Sequence, residues 1–406
     1  MSTSEFVDTA ANAANPYHPD VAADPVPFYE ALRTHAPAAA MHGLPGVHII
    51  SRYEDVKFAL QHPEIFSSEI ATIDIGQERP LIPLQIDPPD HARYRRVMDP
   101  ELARKHVVPL EESVRELVNE LIDGFAPRGT CDAHAELTVP LPCTVFLQMC
   151  DLPLDQLDRF LGWKDDIIRP HVRHPEAGFG GVDATPFRHA AAAEAYEFFD
   201  GVITDRRADP GNDLFSRFAG AEVEGERMTH DQMLDAGLLF ILAGLDTVTS
   251  TLDCAIAHLG RDAELRDALV ADPSRIPDAI EELLRLHTPV MQVMRTVAQP
   301  FTLHGVDMSP GDTAMVMLGA ADTDPGEFGD TAQEFDLGRE ANRHLAFGAG
   351  PHRCMGSHLA RFELAIVLEE LHRRLPDFVV PDNADLHYSP GIREIEHLPL
   401  TFTAVT

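Results

Sequence analysis

Between Ser357 and Leu375 the chain has no proline, and Leu364, Leu368, Leu371 and Leu375 recur at helical spacing before Pro376 ends the run. That pattern predicts a helix. A longer one is predicted from Thr229, which with Gln232 three residues on reads as a capping box. No proline follows until Pro273, and Gly260 reads as the stop after His258. About thirty residues at roughly 1.5 Å each would span about 45 Å, enough to cross a whole domain. A third helix is predicted after Pro277. A fourth should open at Asp87-Pro88-Pro89-Asp90-His91, where an extended segment ends. Thr313 to Leu318 reads as a strand, and the segment around Ile392 as hairpin-like. Polar residues break every apolar run well short of the roughly 18 residues a membrane span needs, so none is predicted. Met1 to Asp20 is polar and acidic, unlike a secretory signal.

Two places interrupt this pattern with chemistry. In the middle of the long helix stand Ala243, Gly244, Leu245, Asp246 and Thr247. Asp and Thr lower helix propensity, and a buried acid needs a partner, while the small residues would let a flat ligand or a diatomic molecule approach the backbone. The second place is Phe347-Gly348-Ala349-Gly350-Pro351-His352-Arg353-Cys354-Met355-Gly356. Here one cysteine sits on a glycine-rich loop at the start of the Ser357 helix, where the helix N-terminus favours thiolate over thiol. Gly348, Gly350 and Gly356 let backbone pass close against a large flat ligand. The arrangement suits a metal-binding thiolate.

The loop F-G-x-G-x-H-x-C-x-G resembles the cysteine-ligand loop of the cytochrome P450 haem-thiolate monooxygenases, and Ala243-Gly244-Leu245-Asp246-Thr247 resembles their oxygen-activation site. Two further features match over nearly the whole chain. Glu282-Leu283-Leu284-Arg285 resembles the family's buried structural ion pair, although alone it would be an ordinary surface pair contributing about 0.2–0.5 kcal/mol. His91 with Arg95, Arg295 and His352 match its propionate donors. The resemblance implies one mainly α domain over 1–406 with a smaller β-rich region, and haem b between a long central oxygen-binding helix and the cysteine-ligand helix. It further implies Cys354 as the axial ligand, Asp246 and Thr247 as the proton-delivery pair, and Ala243, Gly244, Phe347, Gly348 and Gly356 against the cofactor. By position the substrate would meet Ile73, Ile82, Leu84, Leu239, Leu242, Val290, Met291, Gln292, Val293 and Ile392, an aliphatic lining with Gln292 as the polar candidate. One departure is Asp322-Thr323-Asp324-Pro325, where many relatives carry Asn-Arg-Asp-Pro. The implied activity is hydroxylation of an apolar terpenoid, steroid, fatty acyl or aromatic compound with O2. A peroxide-driven enzyme and a haem ligand sensor are the alternatives.

Charge and cysteine usage sharpen the choice of partners. Against 32 Lys+Arg stand 66 Asp+Glu, a formal charge of −34, which argues against nucleic acid and anionic membrane. Five cysteines without a C-x-x-C pair argue against disulfides and zinc, and point to the cytosol. One stretch opposes the acidity. Arg93, Arg96, Arg104 and Lys105, with Arg95 among them, form a local basic patch suited to an acidic protein. The chain has no dinucleotide motif and no cysteine cluster of its own, so the expected electron source is an acidic ferredoxin served by an NAD(P)H-dependent reductase.

Overall fold

The computed structural model describes residues 16–41, 44–69, 74–177, 182–223 and 225–405. Ile73 lies outside them. Seven helices carry the argument: α1 (Asp90–Met98), α2 (Leu157–Ile168), α3 (Thr185–Ala208), α4 (His230–Gly244), α5 (Asp246–Arg261), α6 (Ile276–His287) and α7 (Ser357–Arg374). The fold is mainly helical with a smaller β region. The chain forms two compact units, Met1–Ser68 with Leu110–Thr138 and Thr247–Thr406, and Glu69–Pro109 with Val139–Asp246.

The first unit contains a five-stranded sheet of β1 (Ala38–Ala40), β2 (Val47–Ile50), β3 (Phe66–Ser67), β4 (Val293–Val297) and β5 (Thr313–Val316), in the order β1-β2-β5-β4-β3. β5 runs parallel to β2, with Ala314 opposite His48, and antiparallel to β4, with Ala314 opposite Arg295. Alternation along β5 gives the sheet a core on each face. Ala314 and Val316 join Ile50, Phe66 and Val297 in one cluster, whereas Met315 and Met317 join Phe28, Tyr29 and Leu32 in the other. The predicted strand thus ends two residues early, and Leu318 already belongs to a short helix, Leu318–Asp322.

Sequence spacing located α6 and α7 to within a residue or two, and the capping box opens α4 as read: Thr229 Oγ1 accepts from Gln232 N at 3.2 Å, and Gln232 Oε1 from Thr229 N at 2.8 Å. The long helix departs from expectation in two ways. It breaks at Leu245, between α4 and α5, and inside α5 the Thr251 hydroxyl bonds the Thr247 carbonyl at 2.7 Å. Gly260 does not end it. α5 runs on to Arg261, and a Cβ on Gly260 would stand 2.9 Å from Val380 Cγ2, so this glycine serves close packing. By length and apolarity His230–Arg261 passes the test for a membrane span, which the sequence pattern did not anticipate; 78% of its apolar window is buried inside the protein, as in a core helix.

The Asp322-Thr323-Asp324-Pro325 departure also finds its compensation. Arg33 Nη1 donates to Ala320 O at 2.5 Å and to Thr323 Oγ1 at 3.0 Å, bringing a guanidinium from a different helix to the run that lacks one.

Candidate functional site

In the first unit the cysteine loop is folded by its own backbone. Cys354 N donates to Phe347 O at 2.8 Å and Gly348 N to Leu345 O at 2.7 Å. Gly350, at φ +67°, lies so close to Leu60 O that a Cβ would stand 2.4 Å from it. Only glycine can take both the left-handed backbone and that contact. The loop delivers Cys354 to the start of α7, and Cys354 is the one exposed cysteine of five. Burial pushes the thiols of Cys131 and Cys143 up to about 12, that of Cys254 up to about 11, and that of Cys150 well above its ordinary value. Those four are inert thiols at neutral pH, which leaves Cys354 as the accessible sulfur.

Behind the loop stands a buried charge network larger than the E-x-x-R pair predicts. Arg285, fully buried, grips both oxygens of Glu282 at 2.7 Å, and the same carboxylate accepts from Arg339 Nε at 3.0 and 3.1 Å and from Asn342 at 3.1 Å. Arg285 also donates to the carbonyls of Asp322, Ala332 and Glu334. Next along α6, Glu281 takes Arg361 of α7 at 2.5 and 2.7 Å and His344 at 3.2 Å. The Arg361 guanidinium in turn lies 4.4 Å from the centroid of the Phe347 ring. Burial opposes ionisation of Glu281, yet its Arg361 and His344 bonds outweigh it and bring the carboxyl down to about 2. Glu281, Arg339, Asn342 and Arg361 were not singled out from sequence. The adjacent Glu281-Glu282 pair was the available signal, since two acids on a helix that carries apolar Ile280, Leu283 and Leu284 need cations.

In the second unit the acid of the acid–alcohol pair is clamped. Asp246 Oδ1 lies 2.8 Å from Arg169 Nη2 and 3.3 Å from Lys164 Nζ, and Asp246, Lys164 and Arg169 are each at most 6% exposed. Asp165 neighbours both cations, 3.0 Å from Lys164 and 3.5 Å from Arg169. Sequence reading missed these cations. A trace existed: Phe160, Trp163, Lys164 and Ile167 form one buried face of α2, and a lysine on an apolar face demands a partner. Thr247 begins the first unit, half-buried, while Ala243 is exposed and Gly244 half-buried.

The remaining candidates divide between the units. Arg295 on β4 is 7% exposed and donates to Met294 O at 2.7 Å, and His352 is half-buried within the cysteine loop. His91 is buried in α1, where burial and the Arg95 charge lower its imidazole below the ordinary value; Arg95 pairs with Asp99 at 2.5 Å. In the basic patch Arg93 is paired with Glu226 at 2.5 Å, whereas Arg96, Arg104 and Lys105 are exposed. Among the substrate candidates, Leu239 and Ile82 are buried and Leu84 is exposed. Met291 is a core residue beside Phe28 and Tyr29, Val290 and Val293 pack on the other sheet cluster, and Ile392 bridges Val290. Gln292, 9% exposed, bonds the Tyr17 hydroxyl.

The donors fit haem. An outward thiol at a helix start can ligate iron, a glycine loop can lie flat, and Arg and His side chains can take carboxylates. Such a loop with a buried acid beside an alcohol defines the haem-thiolate oxygenases as a class. The family model for Cytochrome P450 matches residues 185–383. The chain is 35% identical over 363 residues to the steroid C26-monooxygenase of Mycolicibacterium smegmatis, covering 88% of each chain. It is 31% identical over 368 residues to the methyl-branched lipid omega-hydroxylase of Mycobacterium bovis, covering 87% of this chain and 83% of that protein. The crystal structure of CYP109E1 from Bacillus megaterium in complex with corticosterone superposes with a TM-score of 0.83 at 26% identity, covering 95% of this chain and all of that one. This chain belongs to the cytochrome P450 family. It is a haem b monooxygenase acting on apolar substrates with O2 and redox partners.

Proposed function

We propose that the enzyme hydroxylates a steroid or a similarly long branched lipid at an unactivated terminal carbon, with electrons from an acidic ferredoxin. The likeness to a steroid C26-monooxygenase and a lipid omega-hydroxylase over most of both chains supports the substrate class. The observation that carries the chemistry is the buried Asp246, clamped by Arg169 and Lys164 and followed directly by Thr247. We read Cys354 as the iron ligand and His91, Arg95, Arg295 and His352 as propionate donors, with Ala243, Gly244, Phe347, Gly348 and Gly356 against the macrocycle. The chain is taken to act in the cytosol as one functional domain over 1–406. It passes between its two units four times, so neither is a continuous segment.

Haem, when bound, supplies the redox chemistry by which dioxygen is activated. The protein's part is proton supply. Asp246 is paired with two cationic side chains, and a carboxylate so held accepts a proton only when a cation releases it. Arg169 and Lys164 therefore set when Asp246 takes a proton from solvent, and the Thr247 hydroxyl beside it hands the proton on and fixes a water. Asp246→Asn is expected to lower kcat by about a hundredfold, within the usual range for a positioned acid–base group, while leaving substrate binding intact. Thr247→Ala should keep consuming reductant but release peroxide in place of product. The test is product formed per NADH oxidised, with peroxide assayed in parallel. Equal coupling in wild type and Thr247→Ala would rule out this proton route and favour the peroxide-driven alternative.

Electron delivery is read from the exposed cations of the basic patch. Arg96, Arg104 and Lys105 are exposed and would steer an acidic partner, and Arg93 is paired with Glu226. Reversing Arg96 and Arg104 to Glu should slow reduction by an acidic ferredoxin about tenfold at low salt, with the difference fading above the screening range. An unchanged salt dependence in stopped-flow reduction would reject this docking site.

A further inference from the structure

Arg79 belongs to the second unit and is bound on most of its fork. Nε lies 3.0 Å from Asp235 Oδ2, and Nη1 lies 3.1 Å from Glu78 Oε2. Asp235, 2% exposed, also accepts from the Tyr196 hydroxyl at 3.1 Å, and that oxygen takes Glu78 N at 3.4 Å. Nη2 is different. It is buried without a hydrogen-bond partner, and a buried donor left unpaired is costly enough to ask for an acceptor. The triad also has a rigid mount. Gly76, three residues earlier, sits so close to α3 that a Cβ would stand 2.7 Å from Ala192 Cβ, and Asp74 meets His189 at 2.8 Å. His189, Ala192 and Tyr196 lie at helical spacing on one face of α3, so the segment is fastened along its length.

The partner acid gives the donor its direction. Asp235, Leu239 and Leu242 follow one another at i, i+4 and i+7 on α4, so they share a face. We infer that Arg79, oriented by Asp235 and Tyr196, donates through Nη2 to a neutral carbonyl or hydroxyl oxygen of the substrate. This rests on the steroid-or-lipid reading above and deepens it: the substrate is a long apolar body that carries one neutral oxygen function. Charge selects a neutral acceptor. Asp235 and Glu78 already face the Arg79 cation, so a substrate carboxylate would add a second excess negative charge to a partly buried site. The unpaired donor is satisfied as well by a ketone, at no charge cost.

The test is Soret titration of the ferric holoenzyme with two matched pairs, cholestenone against cholestene and 2-tetradecanone against tetradecane. Wild type should bind each oxygenated member about tenfold more tightly than its hydrocarbon, as one hydrogen bond from a charged donor predicts. Arg79→Ala and Arg79→Lys should bring the members of each pair to within about twofold of each other by weakening only the oxygenated one. If Arg79→Ala weakens both members alike, Arg79 merely fastens its segment and the inference falls. Palmitate bound more tightly than the ketone by wild type, with that preference lost in Arg79→Ala, would overturn the choice of a neutral acceptor. Response to the chain pair alone would remove steroids from the proposed function while leaving Arg79 to be judged by the same ratio. Response to neither pair overturns both.

Discussion

Cys354→Ala is expected to abolish monooxygenation while leaving a folded chain. The other four cysteines are buried thiols whose ionisation burial suppresses, so none can replace the lost sulfur at neutral pH. The backbone of the loop does not depend on the sulfur: Cys354 bonds Phe347 O through its amide, and Gly350 is held by its approach to Leu60. The substitution therefore removes the thiolate and little else. The expected results are a far-ultraviolet spectrum like that of wild type, loss of the red-shifted ferrous carbonyl band that marks thiolate ligation, and turnover reduced by more than about ten-thousandfold, beyond what a single acid–base residue ordinarily supplies. Cys354→Ser separates ligation from volume, since it preserves the shape of the side chain. If Cys354→Ser retained the red-shifted band, another ligand would have to hold the iron and the assignment would be wrong.

Local chemistry was legible in the sequence and long-range pairing was not. The cysteine loop, the Asp246-Thr247 pair and E-x-x-R are each written in fewer than a dozen residues, and each is a departure from the pattern around it. Their partners come from afar. Asp246 meets cations 77 residues earlier in the chain for Arg169, and Glu282 meets Arg339 at a separation of 57. Nothing in local periodicity joins such positions, although Lys164 on an apolar face announced that some acid must face it. The substrate candidates rest on position alone. Met291 packs in the sheet core, and Val290 and Val293 pack, partly buried, against the other cluster. Arg79 carried no signal at all. A lone arginine in a loop reads as solvated until its partner Asp235, 156 residues away, is seen to hold it.

Arg285→Leu is expected to destabilise the protein by about 3–5 kcal/mol, because three carbonyls lose their donor and Glu282 loses one of its two cations. A surface pair at the same i,i+3 spacing would contribute about a tenth of that. The difference lies in what Arg285 leaves behind. Glu282 keeps Arg339 and Asn342 and is not stranded, but the carbonyls of Asp322, Ala332 and Glu334 lose their donor inside the protein, and unmet acceptors there each cost more than the bonds contributed. Arg285→Lys keeps the charge but cannot span a carboxylate and three carbonyls, so it should recover only part of the loss. Damage should reach the cysteine loop, because the neighbouring Glu281 holds Arg361, which packs on Phe347; haem retention should fall together with the denaturation midpoint. The pH dependence has a definite sign. Burial raises the Glu282 carboxyl, and Arg285 with Arg339 more than reverses this, so it lies below its ordinary value in the folded protein. A carboxyl lowered on folding stabilises above the unfolded value of about 4.3 and loses that contribution as pH falls further. The gap between wild type and Arg285→Leu in guanidinium unfolding should accordingly be full at pH 7 and narrow below about pH 4.3. A gap that stayed constant down to acid would mean that the lost carbonyl bonds, and not the charge on Glu282, account for the whole effect.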